Sequence, residues 1–303
     1  MADLALLVLT LFWGTTFHFV KGVLSVASPA VFLAARFGIA AALLAAVALW
    51  RRDRVGAAFL RHGALLGIFM LAGFVLQTVG LRHTTPSRSG FLTGLAVLIV
   101  PFVARFLLGR RVKVASWAGV ALAVAGLALL THPFGEAVDA GVRLGDLLTA
   151  GCAVAFALQI VYTSEWSPRH PVVPLTLAQI TVTFLGAAAM LPFEVRYYRP
   201  EGAAVFAGTV VFTGVFMTAL AFFVQNWGQR HTTAVRAALI FSLEPVAAAL
   251  FSHFYGGEPL RLTDWGGGAL IVLGVIAGEV GGLLEGRRSG VDPKLAAAEG
   301  RAG

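Results

Sequence analysis

Arg82-His83-Thr84-Thr85 returns as Arg230-His231-Thr232-Thr233, and the residues around the two tetrapeptides agree as well. Trp117 lies 35 residues after Arg82, and Trp265 lies 35 after Arg230. Each Trp has a Gly two places on (Gly119, Gly267) and another nine places on (Gly126, Gly274). A proline interrupts each intervening apolar run, Pro101 in the first and Pro245 in the second, the two displaced by about one helical turn. The spacing reads as a duplication: the chain is two copies of one unit.

Composition decides the solvent. Of 303 residues, 58% are hydrophobic and 13% charged, and the mean hydropathy is +0.84. Roughly a quarter of a water-soluble domain is charged, so this chain has too little charge to face water and must face lipid. A helix crosses a bilayer with about 20 apolar residues, so the length accommodates roughly ten crossings and no large soluble domain. The net charge of +8 is spread over short loops rather than gathered in a patch, so no nucleic-acid partner is expected. Cys152 is the lone cysteine; no intrachain disulfide can form, and it carries no information on redox compartment. No basic segment precedes Leu4, which predicts a retained first helix rather than a cleaved signal peptide.

Ten apolar runs follow one another, at about 4–20, 30–50, 63–81, 87–108, 114–131, 145–163, 173–192, 203–228, 234–254 and 265–285. They are continuously apolar, whereas barrel strands alternate, so they predict an all-α membrane protein of ten transmembrane helices. With the N-terminus inside, the inner segments carry 13 Lys and Arg and the outer ones 6, which predicts cytoplasmic N- and C-termini. Five helices per copy forces the second copy to start on the opposite side. The expected domains are therefore a first repeat at 1–132 and a second, inverted repeat at 141–288. The link His132–Ala140 is expected to be an exposed loop, and 289–303 a disordered cytoplasmic tail.

No His/Cys or His/Glu metal spacing, Gly-x-Ser-x-Gly elbow or Walker loop appears, so no enzyme, metal or cofactor is expected. Gly274, Gly278 and Gly282 are four apart in the last run, the pattern of close helix packing, within the chain or between protomers. Polar residues inside the runs are costly unless they face protein or water. Trp13 and Phe17 share a face of helix 1 with His18 beside them, which suits an aromatic-walled site with one hydrogen-bonding ring. Gln77 (helix 3), Gln159 with Tyr162 (helix 6) and Gln225 (helix 8) place amides well inside their spans; Gln179 lies nearer the start of helix 7. Each alone reads as interhelical glue, and together they suggest a polar cavity.

Glu244 falls mid-run with three readings open: a carrier of a coupling proton, an acceptor for a substrate ammonium, or a structural carboxylate, paired for instance with Arg236. Pro101 and Pro245 free the carbonyls of Val97 and Phe241, as hinges or as plain kinks. Arg36 and Arg88 lie one to two turns inside their runs; they either snorkel or hold an anionic group of the cargo.

With these residues in place, the chain resembles the drug/metabolite transporter superfamily in its ten-helix, two-repeat EamA form. Leu11-Phe-Trp-Gly-Thr-Thr-Phe17, Arg88-Ser-Gly-Phe-Leu-Thr-Gly94 running to Pro101, and Thr232-Thr-Ala-Val-Arg-Ala-Ala238 running to Glu244-Pro245 carry the resemblance, with Gly257-Glu-Pro-Leu260 and Trp265-Gly-Gly. It covers about 4–285. One departure stands out: Gly109-Arg110-Arg111 occupies the place of Gly257-Glu258, which puts a paired role for Glu258 in doubt. The resemblance implies an inner-membrane exporter of amino acids, aromatic or broadly neutral, and related metabolites, working by alternating access through a central cavity. Its partners would be a small-molecule substrate and the lipid bilayer, and a monomer is compatible with this architecture. Export of cationic drugs with Glu244 as charge partner is the alternative; a membrane-embedded enzyme or a channel fits less well.

Overall fold

The computed structural model describes residues 1–53, 56–131, 140–194, 197–256 and 259–288. The link from 132 to 139, the tail from 289, Arg54, Arg196 and Glu258 lie outside the described residues. Among the described residues eight helices are long and apolar enough to cross a membrane: helix 1 (Ala2–Val23), helix 2 (Pro29–Arg51), helix 3 (Phe59–His83), helix 4 (Arg88–Phe106), helix 6 (Gly141–Arg169), helix 7 (Val172–Met190), helix 8 (Pro200–Gln229) and helix 9 (Ala234–Phe251). Two shorter apolar helices, helix 5 (Val114–Leu130) and helix 10 (Leu262–Gly278), complete ten. The outward faces carry exposed apolar side chains at helical spacing, such as Leu4, Val8 and Leu11, or Leu98, Phe102 and Phe106. In water such faces would aggregate; in lipid they are the solvated surface.

The duplication is visible in the packing. Helices 5 and 10 cross where a Cβ on Gly119 would sit 2.6 Å from Gly274 O and one on Gly126 would sit 2.5 Å from Gly267 O. Gly119 is the counterpart of Gly267, and Gly126 of Gly274. The two contacts therefore exchange when the copies exchange, and their order makes the helices antiparallel. Gly274 and Gly278 of the small-residue stripe pack within the chain, the second against Leu239. The same rule holds elsewhere: Gly80 presses on Gly145 and Thr149 at the start of helix 6, and its counterpart Gly228 presses on Leu6 at the start of helix 1. Only glycine lets these backbones approach so closely.

Both tetrapeptides end in the same device. Thr85 and Thr233 are N-caps with extended backbones, φ −84° in each, and each Oγ1 accepts the backbone N–H three residues on, from Arg88 and Arg236, at 3.3 Å. Helices 4 and 9 then break at equivalent residues. A turn at Leu95 separates Pro86–Gly94 from Ala96–Phe106, and one at Ser242 and Leu243 separates Ala234–Phe241 from Glu244–Gly256. The prolines expected as hinges both lie after these breaks. The helix runs on through Pro101, and Pro245 is the second residue of a new half-helix, where no N–H is needed.

Candidate functional site

Two apolar clusters, one around Leu127, Val161 and Leu239 and one around Phe32, Phe37 and Met70, flank a central cavity of about 100 Å³. On the same measure about 10–15 Å³ suffices for one water. Counterparts in helices 3–5 and 8–10 are 148 residues apart (230 − 82), and those in helices 1–2 and 6–7 are 143 apart (146 − 3, from the clasp aspartates described below). Its wall follows that numbering. Phe74 and Phe222 are counterparts, as are Gln77 and Gln225 and also Trp13 and Phe156, and all six line the cavity. Trp13 meets Phe222 at 5.6 Å between ring centroids, and Phe156 meets Phe74 at 5.3 Å. The wall is the same motif contributed twice.

Gln225 Nε2 donates to Gln159 Oε1 at 3.1 Å, and Gln77 Nε2 donates to the Thr93 hydroxyl at 3.1 Å. Gln159 Nε2 and Gln225 Oε1 have no hydrogen-bond partner among the described residues, so the amide pair retains one donor group and one acceptor. Asn226 and Gln229 do not line the cavity: Asn226 Nδ2 bonds Thr176 Oγ1 and Phe222 O, and Gln229 Nε2 bonds Ile160 O and Ser164 Oγ, tying helix 8 to helices 7 and 6, while Asn226 Oδ1 and Gln229 Oε1 have no partner among the described residues.

Helix 8 contains a π-helical turn, Val215–Leu220. Gly67 and Gly214 face their partner helices alike, Gly67 against Gln179 O and Val182, Gly214 against Arg36 O and Ile39, and these lie 147 apart (214 − 67). Beyond the turn the offset is 148, so the turn is one inserted residue, as π-turns generally are. It turns Met217 O into a shared acceptor for Trp13 Nε1 at 3.2 Å and Arg36 Nη2 at 3.3 Å, and Thr218 Oγ1 accepts from Arg36 Nε at 2.7 Å. The Arg36 guanidinium also lies 4.8 Å from the Phe74 ring centroid.

Of the residues singled out in the sequence, Trp13, Phe17, Gln77, Gln159, Gln225, Arg36 and Glu244 line one cavity. Three do not. His18 is exposed on the far side of helix 1, edge-on to Phe251 at 6.3 Å, because the helix turns it about 100° from Phe17. Tyr162 stacks between Phe69 and Trp166 instead. Arg88 is an ion-pair partner of Asp146 near the end of the bundle. Arg236, the suggested partner of Glu244, pairs with Asp3. Phe74, Phe156 and Phe222 escaped the sequence reading because phenylalanine is common here (23 residues); the repeat offset applied to aromatic residues would have found the Phe74–Phe222 pair.

The two arginines complete a second symmetric feature. Arg88 and Arg236 are counterparts, each three residues past its capping Thr, and each reaches an aspartate in the first turns of the other copy's first helix. Lys21, at the end of helix 1, donates to Leu81 O and Thr84 O at the end of helix 3, and Gly80 meets the start of helix 6. Asp146 therefore lies on the opposite face from Asp3. The clasps are unequal. At the far face Thr84 Oγ1 bonds Asp146 Oδ1 at 2.8 Å, and Arg88 Nε reaches both carboxylate oxygens at 3.2 and 3.1 Å. At the N-terminal face Arg236 Nη2 lies 2.9 Å from Asp3 Oδ2, but Thr232 Oγ1 and Asp3 Oδ1, counterparts of the bonded pair, have no hydrogen-bond partner among the described residues.

A bundle of ten apolar helices, built twice over around a ring- and amide-lined cavity, has the form of a multi-pass membrane transporter. The chain belongs to the EamA-like transporter family, whose model matches residues 1–132 and 143–277. It is 31% identical over 276 residues to an uncharacterized transporter of Archaeoglobus fulgidus, across 91% of this chain and 84% of that protein. It is 25% identical to the uncharacterized inner membrane transporter YedA of Escherichia coli (strain K12), across 92% of this chain and 91% of that one. A crystal structure 22% identical to it has the same fold, with a TM-score of 0.73 over 92% of this chain and 97% of the other.

Proposed function

We propose that this transporter exports amino acids, with aromatic or other apolar side chains, by alternating access through the cavity shared by its two copies. The observation that carries the reading is the inequality of the two clasps. Related by the repeat and placed at opposite faces, they differ in closure: the Arg88–Asp146 clasp is fully bonded and the Arg236–Asp3 clasp is partly undone. Exchanging those states would close one face and open the other, which is what an inverted repeat permits. The aromatic wall suits an apolar side chain and the spare amide groups suit a polar head. On this reading the termini and the Arg236–Asp3 clasp are cytoplasmic, and the membrane is the inner one.

The test is flux of labelled phenylalanine and threonine by the purified protein in liposomes. Saturable flux that falls at least about tenfold in the Trp13→Ala, Gln77→Ala double variant supports the reading. Flux unchanged by that double variant sinks the assignment of this cavity.

A further inference from the structure

The two copies put different residues at several wall positions, but only two of the differences introduce charge. Arg36 stands where the other copy has Gln179, as their matched contacts with Gly214 and Gly67 show. Glu244 opens the second half of helix 9 where Ala96 opens the second half of helix 4. A cation and a carboxylate therefore line one cavity in mid-membrane. Yet among the described residues no carboxylate oxygen, that of Glu244 included, lies within 4.0 Å of the Arg36 guanidinium.

The partners of Arg36 are neutral. Thr218 Oγ1 and Met217 O engage two of its five N–H groups, and the rings of Phe74 and Phe37 lie against it. The Thr218 hydroxyl gives its own proton to Thr213 O at 2.9 Å, which leaves a lone pair for Arg36. The inserted residue of helix 8 thus supplies backbone and hydroxyl oxygens where an acid would otherwise be needed. A guanidinium buried without a counter-ion is costly to keep, and it remains available to a negative group entering the cavity.

We propose that the cargo is a small zwitterion whose carboxylate docks on Arg36 and whose ammonium docks on Glu244, between the two ring-lined halves of the wall. The spare Gln159 Nε2 gives the carboxylate a further donor, and the spare Gln225 Oε1 gives the ammonium a further acceptor. A purely cationic cargo would sit beside Arg36 with nothing to neutralise it, and a purely anionic one would sit beside Glu244. This rests on the amino-acid carrier reading above and adds which residue of the wall holds each charge of the cargo.

Three probes share one ring and differ only in their head: L-phenylalanine has both charges, 3-phenylpropionate only the carboxylate, phenethylamine only the ammonium. Each is offered to the full-length protein in liposomes, and fluxes are compared as ratios within one preparation, so that partial misfolding of a variant cancels. The wild type should prefer phenylalanine. Arg36→Gln should cost phenylalanine about 10- to 100-fold relative to phenethylamine, Arg36→Lys should keep most of the preference, and Glu244→Gln should shift the ratio toward phenylpropionate. If Arg36→Gln lowers all three fluxes equally, Arg36 only supports the fold; the zwitterion assignment then falls and the carrier reading stands. A wild type that prefers phenethylamine overturns both the assignment and the amino-acid cargo in favour of a cationic one, and leaves only the carrier. A wild type that moves none of the three overturns both readings.

Discussion

Trp13 shows how one side chain serves wall and frame together. Its ring packs on Phe222 and Phe241 while its indole N–H holds the Met217 carbonyl. Trp13→Phe should keep the wall, lose that anchor and lower flux a few-fold, whereas Trp13→Ala removes both the ring wall and the anchor and should lower it at least about tenfold; liposome flux distinguishes them. Gly119 is a cleaner test of packing. Valine there would drive a Cβ against Gly274 O, so Gly119→Val should lower the thermal midpoint in detergent, with about 1–3 kcal/mol of overpacking. An unshifted midpoint would contradict the crossing of helices 5 and 10. Polar residues in apolar runs were legible in the sequence because hydrocarbon tolerates few of them, and the structure gathers Gln77, Gln159 and Gln225 at one cavity. Which way each neighbour points was not, because His18 and Tyr162 differ from Phe17 and Gln159 only by rotation about the helix.

The elements that matter most are irregular ones. The breaks at Leu95 and Leu243 place half-helix N-termini, Ala96 and Glu244, at the cavity, where their N–H groups and dipoles favour negative charge. Prolines marked both helices as interrupted in the sequence, but the interruptions fall before them. The π-turn of helix 8 was hidden, since a single inserted residue shows only as a change of offset between the copies. Helix 3 spans the same path with one residue fewer, so deleting Phe216, which is exposed, should keep the fold while withdrawing Met217 O from Arg36. Retained monodispersity by size-exclusion chromatography with lost phenylalanine flux is the expected result; a variant with full flux would remove the π-turn from the account.

At the N-terminal face His62 Nδ1 lies 2.7 Å from His170 Nε2, with Trp166 stacked on His62 at 4.5 Å. Burial, then His62 and Arg169, hold the His170 ring below the usual histidine pKa. Arg61 also lies near the pair, and Glu165 pairs with Arg169. A depressed folded-state pKa means that the stabilisation is present above about pH 6.5 and is lost as pH falls through that value toward the lower folded one. The thermal midpoint should therefore drop between about pH 7.5 and about 5.5, and His170→Phe should shrink that drop.

For the whole molecule, the repeated tetrapeptide made two copies legible, and an odd number of helices per copy made their inversion a matter of topology. What the sequence alone could not reveal is that Arg88 and Arg236 each clasp the other copy, because Asp3 and Asp146 lie far from them along the chain and join them only in space. That exchange of partners gives the molecule two related clasps at opposite faces, with the cavity between them. Thr84→Cys with Asp146→Cys places a reducible lock on the far-face clasp, with each single cysteine variant as control. The most direct measurement is the phenylalanine flux of this protein in liposomes, first oxidised and then reduced. Alternating access predicts that oxidation stops the flux and that reductant restores it to the level of the single-cysteine controls. If the locked protein carries phenylalanine as fast as the reduced one, the two faces do not open in turn and the account is wrong.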